Sequence, residues 1–170
     1  MQILEFPIPF MPPFLKLDFS NIPALIGGFA YGPLVGVAVV FVKSLLHLLV
    51  TTTGGVGEIA DFLTSASMVF TASLIYKHMK TRKNALLGMA AGIILMMAVG
   101  AVTNYFILIP FYEKIMPIEQ IIAACSAVNH KISGMSTYIL FGVLPFNLIK
   151  GVLISAITIM IYKKISRLIK

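Results

Sequence analysis

The sequence predicts an all-α, polytopic membrane helix bundle, and three observations carry that expectation. Of 170 residues, 59% are hydrophobic and 11% charged, with a mean hydropathy of +0.99. A soluble domain carries about 25% charged residues, so the chain has too little polar material to cover a water-facing surface. Its apolar residues gather into runs that meet or approach the roughly 20 residues a helix needs to cross the hydrocarbon. Its basic residues, behind a net charge of +7, concentrate in connections, where they act as topology signals. A soluble enzyme core, a disordered chain and a disulfide scaffold are excluded, since Cys125 stands alone and cannot pair within the chain.

The elements follow as one membrane domain over 1–170. Residues 1–6 offer only about 9 Å of helix at 1.5 Å per residue; with Pro7, Pro9, Pro12 and Pro13 close behind, they are expected to be the exit end of a first helix whose true start lies upstream. A signal peptide does not fit, because the charged n-region and the cleavage site are missing. Residues 7–19 form an external, proline-rich lid loop. A short span covers 21–31, with Ser20 or Asn21 as N-cap and Pro23 in the first turn. Gly32-Pro33 breaks the run, and the next span is 33–50. Thr and Gly from 51 to 57 make a turn, followed by spans at 58–76 and 84–108. A loop is expected over 109–137, where Pro110, Pro117 and most remaining polar residues fall, and the last span is 138–162.

Orientation follows from Lys77, Lys80, Arg82 and Lys83 in one connection and Lys163, Lys164, Arg167 and Lys170 in the tail. Lys and Arg accumulate on the cytoplasmic side, so both clusters, and with them the C-terminus, belong inside a bacterial cell membrane. The two spans between them agree with that placement, which leaves 7–19 and 51–57 outside.

Ionisable and amide groups at membrane depth cost several kcal/mol against lipid and face a cavity or a partner. Asn147 and Lys150 are three apart, on one face of the last span, and Pro145 before them favours a kink that opens space there. A plainer role is an interhelical hydrogen bond and a Lys paired with a structural acid. Glu58 and Asp61 are also three apart, either as functional carboxylates, with Glu58 ahead, or as first-turn acids that offset a helix dipole. Asn104, between Thr103 and Tyr105, offers an amide that donates and accepts together, as an imide-like ligand edge requires; Tyr105 alone would serve as an interface anchor. Lys43 and His47 form an i, i+4 pair. A lone His is poor evidence for a metal, and Lys43 either snorkels or pairs with an acid such as Glu58.

There is no Ser/His/Asp arrangement, no HExxH and no GxxxxGK[ST], so the chain cannot hydrolyse ATP, and uphill transport must draw energy from a partner or an ion gradient. Nucleic acid is not an expected partner.

The segment LEFPIPFMPPFLKLDFSNIPALIGGFAYGPLVG, with GVGEIADF and LPFNLIKG further on, resembles the riboflavin-specific substrate-binding (S) component of energy-coupling factor (ECF) transporters, in matching order along nearly the whole chain. The resemblance implies six helices and a riboflavin pocket open to the outside. It also implies association with a transmembrane coupling protein and two cytoplasmic ATPases, riboflavin being cargo rather than cofactor. It points to Pro12, Phe14, Lys16, Asp18 and Phe19 as part of a pocket lid. Asn147 and Lys150 are implied as ligand contacts, with Asn104 and Glu58 less securely placed. The small-residue pattern by which the family's first helix contacts the coupling protein is not found in this sequence.

The residue chemistry suits such a ligand. Riboflavin needs aromatic or aliphatic walls, an amide for its pyrimidine edge and polar groups for its polyol. Phe14, Phe19 and Phe146 are candidates for walls, Asn104 or Asn147 for the edge, and Lys150 with Glu58 for the polyol. Two alternatives stand beside this reading: an S component for another small vitamin or precursor, and a membrane enzyme using Glu58 and Asp61.

Overall fold

In the computed structural model the described residues are 6–7, 16–49, 51, 54–114 and 117–165. Two short strands, β1 (Phe6–Pro7) and β2 (Lys16–Leu17), pair antiparallel with Phe6 opposite Leu17 and Pro7 opposite Lys16. The expected lid loop is therefore clasped at its base. Helices α1 (Asn21–Tyr31), α2 (Pro33–Leu48), α3 (Val56–His78) and α4 (Arg82–Thr103) follow. A π-helical turn, π1 (Asn104–Leu108), leads into α5 (Ile109–Glu113), and α6 (Ile118–Val128) comes next. Helix α7 (Met135–Tyr138), a second turn π2 (Ile139–Val143) and α8 (Leu144–Ile165) close the described chain.

Three of these runs are long and apolar enough to cross a membrane: Val56–His78, Arg82–Glu113 and Met135–Ile161. Helix α2 has 16 residues, about 24 Å of rise, short of the 33–50 span. Helix α1, with 11 residues, rises only about 16 Å, so its N-terminus begins partway along its neighbours. Gly32, at φ 108°, supplies the left-handed backbone that turns α1 into α2, and Pro33 starts the new helix where its missing N–H costs nothing. Ser20 caps α1 by position but makes no side-chain cap bond.

The region 109–137 corrects the expectation of a loop, since it carries α5 and α6. Pro110 suggests a break, yet the helix runs through it, and the same device recurs at Pro145. Each π turn sits just before a proline, Pro110 or Pro145. The residue ahead of each proline donates its N–H five residues back, Ile109 to the Asn104 carbonyl and Leu144 to that of Ile139. Widening the turn relieves the clash between a proline ring and the preceding turn, so the helix continues. At Pro145, where a kink was expected, the helix carries this widened turn.

The polarity is that of a protein in lipid. Large apolar side chains are exposed along α2, α3, α4 and α8 (Leu34, Phe41, Leu46, Phe70, Leu87, Ile94 and Val152 among them), while Asp18, Asn21, Glu58, Asn104, Asn147 and Lys150 are buried. Helix α3 is central, packed against α4, α2 and α1, and α8 rests on α4 and α1. Glycines allow the closest approach: a Cβ on Gly88 or Gly92 would stand 2.6 or 2.7 Å from an α3 carbonyl oxygen, the small-residue packing typical of membrane helices. The main apolar cluster includes Leu25, Phe29, Val40, Met68, Val69, Met89, Met96 and Ile154. A second, of Ile109, Cys125, Ile132, Tyr138 and Val143, joins α5, α6 and α7 beside the π turns.

Candidate functional site

The short α1 brings polar residues to membrane depth. Because α1 starts beside the middle of α2, the segment before it enters the bundle, and Asp18 lies there among charges from three helices. Lys150 on α8 donates to Asp18 Oδ2 at 2.9 Å and to Asp61 Oδ1 on α3 at 3.0 Å. Lys43 on α2 donates to Asp61 Oδ2 at 2.8 Å, to Asp18 Oδ1 at 3.3 Å and to Asn21 Oδ1 at 3.1 Å. Among the described residues, two ammoniums and two carboxylates thus alternate around a ring in which the four charges balance. Asn21 Nδ2 donates to Ser65 Oγ at 2.7 Å, and the backbone N–H of Ser20 donates to Asp18 Oδ1 at 3.0 Å, with the Ser20 hydroxyl donating to the same oxygen. Burial would push the Asp18 carboxyl up, but the Lys150 and Lys43 ammoniums and the Ser20 hydroxyl together hold it far below the usual carboxylate range.

A second polar layer flanks the ring. His47 Nδ1 lies 2.9 Å from Glu58 Oε1, so the i, i+4 pair on α2 meets the i, i+3 pair on α3 rung by rung. Of the two roles open to Lys43, it pairs with acids, but these are Asp61 and Asp18 where Glu58 was the example, because antiparallel packing sets His47 opposite Glu58. Both acids tie α3 to α2, Glu58 through His47 and Asp61 through Lys43, and Asp61 also reaches Lys150 on α8.

On the other side of Lys150, Asn147 and Asn104 meet over one glycine. Asn104 Nδ2 donates to the Gly100 carbonyl at 2.8 Å, and a Cβ on Gly100 would stand 2.6 Å from Asn147 Nδ2 and 3.4 Å from Thr64 Cγ2. Asn147 Nδ2 donates to the Val143 carbonyl at 2.9 Å, the carbonyl at the end of π2. Tyr138 donates its hydroxyl to Asn104 Oδ1 at 3.1 Å, latching the start of π2 to the start of π1. Each amide has two N–H donors and two acceptor lone pairs, so both keep donor and acceptor capacity after these bonds. Thr103 turns inward to the Val99 and Gly100 carbonyls, whereas Tyr105 is exposed, edge-on to Phe106.

The structure therefore brings Glu58, Asp61, Lys43, Asp18, Lys150, Asn147 and Asn104 into one continuous polar band on the inner faces of α2, α3, α4 and α8. Phe146 is buried on α8. Phe19 is half-buried and packs on the main apolar cluster. Pro12, Phe14 and the Lys16 side chain lie outside the described residues. Asn21, Ser65 and Tyr138 belong to the band and were missed: Asn21 reads as a cap, Tyr138 as the first residue of a span, and Ser65 carries no signal of its own in the sequence. Among the described residues no group of His, Cys, Asp or Glu is arranged to hold a metal ion. Chemically, the band sets amide donors and acceptors beside ammonium and carboxylate groups.

Residues 1–162 match the family model described as ECF transporter, substrate-specific component. The chain is 38% identical to the riboflavin transporter RibU of Staphylococcus aureus (strain TCH60) over all of its length and 85% of that protein. It is 28% identical to the riboflavin transporter FmnP of Bacillus subtilis (strain 168), over 97% of this chain and 84% of that one. A solved structure, reported as the structure and mechanism of the S component of a bacterial ECF transporter, superposes with a TM-score of 0.80 at 37% identity, covering 99% of this chain and 88% of that one.

Proposed function

Because the chain belongs to the substrate-specific components of ECF transporters, a family of multi-pass membrane transport subunits and not of enzymes, we propose that it is the riboflavin-binding subunit of such an importer. The observation that carries this reading is the pairing of two half-used amides, Asn104 and Asn147, over Gly100, with an ammonium three residues further along α8. The pyrimidine edge of an isoalloxazine alternates acceptors with one donor, which amides answer in both directions. Lys150 spends two of its three N–H donors on Asp18 and Asp61 and keeps one for a polyol hydroxyl; Glu58 extends the same side. The names of the relatives in Staphylococcus aureus and Bacillus subtilis support riboflavin over another vitamin.

In this reading Asp18 anchors the lid segment instead of touching ligand, and Phe14, Lys16 and Phe19 belong to that lid. Energy then comes from a transmembrane coupling protein and two cytoplasmic ATPases, as membership of this family implies. The basic stretch 77–83 and the C-terminal tail face the cytoplasm, since the two long helical runs between them return the chain to the same side.

The test is the visible absorption spectrum of protein purified in mild detergent from cells supplied with riboflavin. A flavin band that copurifies at about one ligand per chain supports the reading. A folded, monodisperse protein without that band, and unable to take riboflavin up when it is added, overturns it.

A further inference from the structure

The charge balance of the ring has a consequence for selectivity. The four side chains are unequally open: Lys150 is 5%, Lys43 11%, Asp18 11% and Asp61 31% exposed. The most open member is a carboxylate, Asp61. Behind it, both ammoniums are shared between the same two acids, and Glu58 adds a further acid one turn away on α3. We infer that Asp61, with Asp18, is a specificity-determining residue that keeps the polyol end of the site neutral, so that the site takes the free hydroxyl of its ligand and rejects the phosphate monoester of the same ligand.

This inference rests on the riboflavin reading. A phosphate monoester carries about −1.5 to −2 charges at neutral pH. To be bound beside Lys150 it would have to draw the ammonium from Asp18 and Asp61, leaving two buried carboxylates to share Lys43. Otherwise it would sit against the Asp61 carboxylate, and like charges placed together in an excluded site are strongly unfavourable. A hydroxyl asks for neither. It needs the single donor that Lys150 retains and disturbs no pair in the ring. Two lysines at membrane depth would by count suggest an anion site; the geometry shows their charge already spent.

The experiment compares equilibrium affinities for riboflavin and riboflavin 5′-phosphate in detergent, by flavin fluorescence quenching. Wild type is expected to favour riboflavin. Asp61→Asn keeps the shape and one acceptor but leaves the ring with an excess positive charge, so the phosphate's disadvantage should shrink by about tenfold or more, with Asp18→Asn moving it the same way. Lys43→Met, which makes the ring anionic, should widen it by a similar factor. The charge-rebalanced Lys43→Met/Asp61→Asn should restore the wild-type ratio even where both affinities fall. Equal wild-type affinities, a ratio unmoved in the Asp61, Asp18 and Lys43 variants, or the same drop in the rebalanced variant as in Asp61→Asn each overturn the inference. A wild type that binds neither flavin overturns the functional reading instead.

Discussion

Replacing Lys150 with Met tests whether the ring holds the bundle together. Lys150 is 4% exposed and bonds Asp18 and Asp61 at 2.9 and 3.0 Å. Without it, two carboxylates are left with Lys43 alone and the ring carries a net negative charge away from water. Removing one partner of a buried ion pair costs about 3–5 kcal/mol, most of it from the charge left behind. Lys150→Met/Asp61→Asn removes one charge of each sign, so Lys43 and Asp18 remain as a one-to-one pair at 3.3 Å. The double variant should then lose less than the sum of the single losses, by about 1–3 kcal/mol. Thermal unfolding in detergent, followed by circular dichroism, reads both quantities. At roughly 2–4 °C per kcal/mol for a chain of this size, Lys150→Met should melt roughly 6–20 °C early and the double variant nearer wild type. A single loss below about 1 kcal/mol with strict additivity would show that the ring does not fasten α8 to α3 and the lid.

Three further outcomes follow from the same geometry. Gly100→Ala places a methyl 2.6 Å from Asn147 Nδ2 and should weaken riboflavin binding by about tenfold or more, while a helical Gly→Ala change leaves thermal stability near wild type; a fluorescence titration beside a melt separates the two effects. Gly92→Leu drives a branched side chain into the Met68 carbonyl at 2.7 Å and should cost about 1–3 kcal/mol or more by overpacking, read as a lower melting temperature and a poorer yield of monodisperse protein. For pH, the Asp18 carboxyl is held below its ordinary 3.8 in the folded chain. Its contribution is therefore complete above that value and is lost as pH falls through it toward the folded one. Melting temperatures should not change on this account from pH 7 to 5 and should fall below about pH 4; Asp18→Asn should flatten the acid limb.

The fold class was legible because lipid imposes it. Exposed apolar runs and basic connections are readable without any pairing information, and the family likeness in the proline-rich block and LPFNLIKG agreed with them. The helices between 109 and 137 were not legible, because Pro110 and Pro117 read as breaks when the breaker is considered alone. The widened turn that rescues the helix at Pro110 depends on a five-residue hydrogen bond no local rule announces. At the site, spacing of three and four placed Asn147 with Lys150, Glu58 with Asp61 and Lys43 with His47 on common faces. It could not say which face meets which, so Glu58 stood as one example of an acid for Lys43 where helix offset gives it Asp61. The role of Asp18 was the least legible, since it follows from α1 being only 11 residues long, which draws a loop residue to the depth of Lys150.

A riboflavin titration of the purified protein, wild type against Asn147→Ala, tests ligand binding by the amide pair most directly. Saturable quenching at one flavin per chain is expected, with affinity weakened about 5- to 150-fold in the variant, the cost of about 1–3 kcal/mol for a lost buried partner. Wild-type affinity in Asn147→Ala, or no saturable binding by either folded protein, would contradict it.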